Sequence, residues 1–200
     1  MLEVFADIAC PFTYVGLRRL LTERERLGLE VSIRVQPWPL EIVNGTPLDP
    51  DFVATEVDAL RRQVAPDLFA GFDPRTFPKT TLPAMSVAEA AYRLGTETGE
   101  ATSLALREAL FDQGRDVSRP DVLDEIIRAF ELPRPTEADR QAVLDGYEEG
   151  KRRGVVGSPH FFAGSIDEFC PALRIAHEHG TFEVSATLER LDRLIRAAAA

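Results

Sequence analysis

The run Asp-Ile-Ala-Cys-Pro-Phe-Thr-Tyr, residues 7–14, connects a short apolar segment to a long amphipathic one. Residues 2–6 (Leu-Glu-Val-Phe-Ala) predict a buried strand, and the Asp-Ile-Ala that follows predicts a turn. Pro11 suits the first position of a helix, because the N–H that proline lacks would have no partner there. The helix is expected to run from about 11 to 27. Cys10 is therefore expected at the junction of a strand and a helix N-terminus.

The rest of the chain continues with strand and helix patterns. Residues 29–36 alternate apolar and polar side chains and predict a second strand, parallel to the first through a right-handed crossover. Residues 160–169 have the pattern of a tight hairpin around Gly164-Ser165. The other predicted elements are helices at about 51–65, 84–98, 101–112, 120–131, 136–152, 171–179 and 185–198.

The order of these elements predicts an α/β protein made of two units. Residues 49–150 hold 21 acidic and 11 basic side chains, whereas the rest of the chain holds 12 of each. This shift in charge coincides with the run of helices. We therefore predict one domain from residues 1–48 and 151–200, interrupted by an inserted all-helical domain at 49–150.

Composition excludes several classes of protein. The 200 residues are 44% hydrophobic and 28% charged, which is typical of a globular protein. A net charge of −10 argues against a nucleic-acid partner. No apolar run reaches the roughly 18 residues of a membrane helix, and the N-terminus lacks the pattern of a signal peptide, so we expect a cytoplasmic protein without a membrane partner. Two cysteines 160 positions apart form neither a disulfide framework nor a metal site.

Cys10 is the sharpest candidate for chemistry. Free N–H groups and the macrodipole at a helix N-terminus favour an anion, so this position is expected to lower the thiol pKa and to supply a nucleophilic thiolate. The alternative is a small buried side chain without chemistry, because free cysteine is among the most buried residue types. Asp7, three residues earlier, either takes up a proton or caps the turn.

A second motif, Val-Val-Gly-Ser-Pro-His at 155–160, precedes the predicted hairpin. A proline that enters a strand removes one donor from the hydrogen-bond ladder. A cis peptide bond at Pro159 is one explanation, and an ordinary loop proline is the other.

Together these motifs and the order of elements resemble the DsbA family of thioredoxin-like proteins over nearly the whole chain. Residues 7–14 and 154–162 carry the resemblance. Within the family, the chain is similar to the intracellular branch that includes 2-hydroxychromene-2-carboxylate isomerases and kappa-class glutathione transferases. Thr-Leu-Pro-Ala at 81–84 resembles a stretch of that branch near its thiol-cofactor site, although Thr80 stands where asparagine is usual.

The resemblance implies a thioredoxin-like fold with an inserted helical domain and an active site in the cleft between the two. It implies that Cys10 is catalytic and that a cis Pro159 faces it. The implied substrate-binding residues are Pro11, Phe12, Ser158, Pro159 and His160. His160 is a candidate for orienting a substrate or for acid–base chemistry, and its alternative is a packing role in a strand.

Thr13 stands where many family members have a second cysteine. Residue 13 therefore cannot form an internal disulfide with Cys10. Instead, Thr13 is expected to hydrogen-bond to the Cys10 thiolate. The remaining chemistry uses the Cys10 thiol alone. Cys10 forms a mixed disulfide with a substrate or a small thiol, and another thiol then reduces this bond. Cys170 either approaches Cys10 and acts as that resolving thiol or is a core cysteine without a catalytic role.

Three hypotheses for function follow. The first is a thiol–disulfide oxidoreductase that acts through Cys10 without a bound cofactor, takes a small-molecule or protein disulfide as its partner, and uses glutathione or another low-molecular-weight thiol as co-substrate. The second is a glutathione-type isomerase or transferase, in which the small thiol itself is the nucleophile. The third is a non-catalytic binding module. The oligomeric state is left open between a monomer and a homodimer.

Overall fold

The computed structural model describes residues 1–178 and 181–199. The strands in these ranges are β1 (Leu2–Ala6), β2 (Ile33–Pro37), β3 (His160–Ala163), β4 (Ile166–Phe169), β5 (Leu173–Glu178) and β6 (Thr181–Ala186). The helices are α1 (Pro11–Leu27), α2 (Leu40–Val43), α3 (Pro50–Gln63), α4 (Leu82–Tyr92), α5 (Thr96–Phe111), α6 (Pro120–Ala129), α7 (Glu137–Arg152) and α8 (Leu188–Ala199), with a 3₁₀ turn at Pro74–Thr76.

A four-stranded sheet of order β2-β1-β3-β4 forms the centre of the fold. β1 is parallel to β2 and antiparallel to β3, so that Phe5 lies opposite His160. β3 and β4 form the tight hairpin that the sequence predicts. Because β1 has neighbours on both sides, its carboxyl end and the turn after it lie in the middle of the molecule. The observed topology confirms the predicted strand–helix–strand opening and the α/β thioredoxin-like fold.

Helix α1 begins immediately after the turn that follows β1. Cys10 at its N-cap is extended, Pro11 is the first helical residue, and Gly28 ends the helix in the left-handed conformation with φ of 64°. Helices α1 and α8 pack against each other. Helix α7 lies against the aromatic cluster around Phe5 and Trp38, and a Cβ on its Gly150 would come within 2.6 Å of the Trp38 ring. Glycine is therefore required at this close approach.

Helices α3 to α7 lie between β2 and β3 in the chain, as the periodicity predicts. Helix α4 packs on α5 and α7, and both of these helices also contact β2. The helical segment thus packs directly against the sheet. Among the helices in the described ranges, none combines the length and apolar character of a membrane span.

The predicted helix at 171–179 is wrong. Residues 173–178 form β5, which pairs with β6 so that Ile175 lies opposite Val184; residue 179 lies outside the described residues. The apolar side chains at 172, 173, 175 and 176 fit either period, so the local pattern does not decide between helix and strand. A residue distant in the sequence helps to stabilise the strand pair. Gln63 of α3 bonds to the β6 backbone at the Val184 N–H (2.8 Å) and at the Phe182 carbonyl (2.8 Å).

Candidate active site

Cys10 lies at the carboxyl end of the central strand and at the start of α1. Its side chain is buried, with 4% of the residue exposed. The Sγ atom donates a hydrogen bond to the backbone carbonyl of Ser158 at 3.2 Å. The fold therefore brings together two motifs that are 148 residues apart in the sequence.

The side chain of Ser158 also contacts the residues around the start of α1. The Ser158–Pro159 peptide bond is cis. Ser158 Oγ accepts a hydrogen bond from the Asp7 N–H at 2.9 Å and shares another, also 2.9 Å long, with the Thr13 hydroxyl. Pro159 faces Gly16 of α1, where a Cβ would lie 3.7 Å from the Pro159 ring. The structure thus gathers Cys10, Thr13, Ser158 and Pro159 in one place.

Cys170 borders the same loop from the side of the β3–β4 hairpin. Its backbone N–H donates to the Pro159 carbonyl at 2.9 Å, and its φ is 43°, in the left-handed region. Both cysteines are buried and free. Burial and, to a smaller extent, the negative charge that Cys10 carries as a thiolate raise the pKa of Cys170 to about 12. Cys170 is therefore a protonated thiol at neutral pH.

The pKa of Cys10 is raised above its ordinary value, and the expectation of a lowered pKa is wrong for this structure. Burial is the largest cause, because it removes water from the charged form. Hydrogen bonds with the side chains of Thr13 and Ser158 act in the opposite direction, and the negative charge of Glu56 raises the pKa further. The resting state holds a thiol that donates to Ser158, rather than a thiolate.

Asp7 lies in the turn that precedes Cys10, and its carboxyl group is buried. The buried carboxylate accepts hydrogen bonds from the Ala9 N–H (2.8 Å), the Leu40 N–H (2.6 Å) and the Thr81 hydroxyl (3.3 Å). Burial nevertheless raises its pKa, although these bonds oppose the shift. Of the two predicted alternatives for Asp7, the hydrogen bonds support the structural one, which joins the turn before Cys10 to α2 and to the start of α4.

A fully buried arginine contacts the backbone of Asp7. Arg107 of α5 donates to the Asp7 carbonyl at 3.0 Å and to the carbonyl and hydroxyl of Ser103. Its Nε has no hydrogen-bond partner among the described residues. Burial lowers the pKa of Arg107 to about 10, while the negative charge of Asp7, and that of Cys10 when it is a thiolate, raise it. Arg107 thus brings a positive charge to the Cys10 region that favours the thiolate.

The remaining predicted site residues are placed as follows. Pro11 and Phe12 are buried in the first turn of α1, and the Phe12 ring lies 6.3 Å from that of Phe182 on β6. His160 is buried in β3, where its Nδ1 accepts the Val156 N–H at 3.2 Å and its Nε2 contacts Asp167. Both His160 ring nitrogens are thus engaged within the hairpin region, which favours the packing alternative over contact with a substrate.

The sequence does not identify two residues that act electrostatically on Cys10, namely Arg107 and Glu56. Both belong to the helical segment, and each lies in an ordinary amphipathic pattern. The available signal is weak: Arg107 follows three apolar positions, Leu104 to Leu106, on a helix whose buried face is largely apolar.

Thr13 offers a test of the hydrogen bonds that oppose burial at Cys10. Valine in place of Thr13 keeps the shape of the side chain but removes the hydroxyl, so the pKa of Cys10 should rise further. Alkylation by iodoacetamide at pH 7 should therefore become roughly tenfold slower, because the fraction of thiolate falls as the pKa rises. Thr22→Val, on the exposed side of the same helix, is the matched control and should leave the rate unchanged. An unchanged rate in Thr13→Val would show that the hydroxyl does not act on Cys10.

Solved structures with the same fold include proteins of thiol chemistry. A protein from Nitrosomonas europaea that carries a provisional assignment as a protein disulfide isomerase superposes with a TM-score of 0.70 at 15% identity, covering 98% of this chain and 95% of that one. The cytosolic disulfide reductase DsbM from Pseudomonas aeruginosa gives 0.64 at 18% identity, covering 99% and 95%. A 2-hydroxychromene-2-carboxylate isomerase gives 0.60 at 16% identity, covering 84% and 87%.

No curated protein matches the sequence significantly. At the identities above, the structural similarity establishes the fold and leaves the reaction open. A family model described as the DSBA-like thioredoxin domain, however, matches residues 1–178, which include both the Cys10 motif and the Ser158–Pro159 loop. The chain therefore belongs to the DSBA-like thioredoxin domain family.

Proposed function

We propose that this protein is a thiol–disulfide oxidoreductase whose nucleophile is Cys10. The observation that carries the proposal is the contact between the Cys10 Sγ and the Ser158 carbonyl, 3.2 Å apart, at a helix N-terminus. A disulfide that bonds to Cys10 lies beside the loop at 158–159 and the first turn of α1, because the Cys10 Sγ atom contacts both. Buried Arg107 adds a positive charge to the same region. These features favour an anionic sulfur in the reacting state.

The proposed reaction has two exchange steps. The Cys10 thiolate attacks one sulfur of a substrate disulfide, so that a Cys10–substrate disulfide forms and the other substrate sulfur leaves as a thiolate. A second thiolate then attacks the substrate sulfur of this mixed disulfide. Cys10 is released as a thiolate, and the second thiol leaves bonded to the substrate. Each step breaks one S–S bond and forms one, so electrons balance, and the external thiol is the reductant.

A low-molecular-weight thiol is the proposed second thiol. Thr13 cannot serve, and Cys170 is a buried thiol whose pKa is about 12, so it supplies almost no thiolate at neutral pH. The structural neighbour DsbM has also been solved with GSH, at 18% identity to this chain. Glutathione is therefore the first co-substrate to try, with a small-molecule or protein disulfide as substrate. The cytoplasmic location stays a prediction, and the oligomeric state stays open between a monomer and a homodimer.

Cys170→Ser tests whether the second thiol is external. We expect the variant to keep glutathione-dependent turnover of a disulfide within about threefold of the parent, because Cys170 contributes no thiolate. The assay follows release of the substrate thiol at pH 7. Mass spectrometry of the parent protein treated with the disulfide alone should show half of the substrate bonded to Cys10. A loss of turnover in Cys170→Ser, with an internal Cys10–Cys170 disulfide in the parent, would contradict this scheme.

A glutathione-dependent isomerase or transferase is the second candidate. The observation that favours it is the hydrogen bond from the Cys10 Sγ to the Ser158 carbonyl, because a thiol that donates there can donate to a bound glutathione thiolate in the same way. In that reaction Cys10 forms no covalent bond, and serine could replace it. The variant Cys10→Ser therefore separates the two candidates.

A further inference from the structure

His160 is the first residue of β3 and directly follows the loop that contacts Cys10. The residue is buried. Its backbone pairs with Phe5 of β1 on one side and with Phe169 of β4 on the other, so two neighbouring strands hold it in place. The His160 ring lies parallel to the Phe162 ring, with the two centroids 4.9 Å apart. The sheet therefore fixes the position of the imidazole next to the loop.

The two ring nitrogens of His160 have different roles. Nδ1 accepts the backbone N–H of Val156 at 3.2 Å, and a ring nitrogen that accepts a hydrogen bond carries no proton. Nε2 contacts the carboxylate of Asp167, which accepts hydrogen bonds but does not donate them. The proton of the neutral ring therefore lies on Nε2, where the carboxylate holds it. This tautomer is the one that leaves Nδ1 able to accept the bond from Val156.

The bond from Val156 joins the hairpin to the same loop that contacts the Cys10 sulfur. Two residues after Val156, the Ser158 carbonyl accepts the hydrogen bond from the Cys10 Sγ at 3.2 Å. Gly157, which lies between them, is also in close contact with the hairpin, because a Cβ there would lie 2.7 Å from the Phe169 ring. The hairpin thus holds one side of the loop, and the start of α1 contacts the other side.

Backbone bonds alone hold the two ends of this loop. The Val155 N–H donates to the Gly150 carbonyl at 2.9 Å, and the Pro159 carbonyl accepts the Cys170 N–H at 2.9 Å. Bonds between backbone groups do not depend on the identity of the side chains. His160, in contrast, contributes a side-chain acceptor in the middle of the loop, and this contribution is lost when the residue is replaced by one without an acceptor.

We propose that His160 is a positioning residue, which holds the Ser158 carbonyl beside the Cys10 sulfur through the bond from Val156 to its Nδ1. This inference rests on the proposed function and adds a residue to its machinery. His160 does not contact the substrate, and it takes no proton from it. Its role is to keep the loop where a disulfide that bonds to Cys10 lies.

The physical reason is that disulfide exchange depends on orientation. The attacking thiolate must approach one sulfur of the disulfide in line with the bond that breaks, so the substrate has to be aligned on the protein. A misplacement of about 1 Å can cost roughly 100-fold in the rate of such a step. Alkylation of the same thiol by the small reagent iodoacetamide does not need a substrate aligned along the loop. The two reactions therefore respond differently to a displaced loop.

Two variants of His160 separate the hydrogen bond from the packing of the ring. His160→Phe keeps a ring that can stack on Phe162 but has no acceptor, whereas His160→Asn loses the ring but keeps an acceptor oxygen near the position of Nδ1. The rate constant for the reaction of Cys10 with hydroxyethyl disulfide at pH 7 should fall about 30-fold in His160→Phe and stay within about threefold of the parent in His160→Asn.

Alkylation of Cys10 by iodoacetamide is the internal reference for both variants. It should change by less than about threefold, and the ratio of the two rate constants removes differences in the fraction of thiolate, because both reactions use the thiolate. A variant that failed to fold would expose Cys10 and react faster with both reagents. A selective loss of disulfide exchange in His160→Phe therefore cannot arise from unfolding.

NMR supplies a readout that needs no activity. The ring-nitrogen signals of His160, assigned by their absence from His160→Asn, should show a protonated Nε2 and an unprotonated Nδ1 in the parent. The Val156 amide should be protected from hydrogen exchange in the parent and in His160→Asn, but not in His160→Phe. A protonated Nδ1, or equal protection of Val156 in all three proteins, would overturn the proposal.

The kinetic outcomes separate this inference from the proposed function. An unchanged disulfide exchange in His160→Phe, or an equal loss in His160→Phe and His160→Asn, would assign His160 a packing role and overturn the inference alone. If Cys10 of the parent forms no mixed disulfide with any disulfide tested, the proposed function itself fails. A loss in His160→Phe that His160→Asn restores, in a parent whose activity Cys10→Ser abolishes, supports both.

Discussion

Replacement of Cys10 by serine should lower glutathione-dependent disulfide turnover by at least about 1,000-fold. Serine fits the buried site and can still donate a hydrogen bond to the Ser158 carbonyl, so the fold should be retained. Its hydroxyl, however, cannot form the mixed disulfide on which the reaction depends. Turnover is measured with hydroxyethyl disulfide and glutathione at pH 7, and mass spectrometry follows the loss of the adduct on residue 10.

The control for this experiment is Cys170→Ser, which removes a second buried thiol near the same loop without touching the nucleophile. Full disulfide turnover in Cys10→Ser would falsify the oxidoreductase proposal. If the variant instead loses disulfide turnover but retains a glutathione-dependent isomerisation or conjugation, the second candidate function is correct. If the parent also lacks turnover with every disulfide and thiol tested, the binding-module hypothesis is favoured.

The parts of the fold that the sequence predicts are those whose signals are local. Strand β1, helix α1 and the β3–β4 hairpin occur at the predicted residues, because Pro11, the apolar alternation and Gly164 each determine local structure. The sequence mispredicts strand β5 as a helix, because its identity depends on pairing with β6 and on contacts from α3. The division into domains at 49–150 stays a prediction.

The residues of the candidate site are likewise of two kinds, those that the sequence identifies and those that it does not. Cys10 and Pro159 lie in short motifs, so their proximity follows once the family resemblance is recognised. Arg107 and Glu56 come from the helical segment, 97 and 46 residues after Cys10, and no local pattern marks them. The pKa of Cys10 illustrates the consequence: its helix-start position is evident from the sequence, but the burial and the Glu56 charge that raise the pKa depend on tertiary structure.

The second large effect is expected on stability, from Asp7→Ala. The substitution leaves the buried N–H of Ala9 and the half-buried N–H of Leu40 without an acceptor, and it removes the negative charge that acts most strongly on buried Arg107. An unsatisfied buried donor costs roughly 1–3 kcal/mol, and an uncompensated buried charge costs more. Part of this loss is offset, because ionised Asp7 is itself unfavourably buried, as its raised pKa shows. We expect a net loss of about 3 kcal/mol in the free energy of unfolding, measured by urea denaturation at pH 7.

Two further variants make the Asp7 result interpretable. Asp7→Asn keeps one acceptor oxygen but removes the charge, so it should lie between the parent and Asp7→Ala. Asp145→Ala removes an exposed aspartate that bonds to Gln141 alone among the described residues, and it should change stability by less than about 0.5 kcal/mol. If Asp7→Ala matched Asp145→Ala, the network beneath Cys10 would contribute nothing to the fold. The expected order instead makes Asp7 the residue that holds the turn before Cys10, and with it the start of α1, against the Ser158 loop.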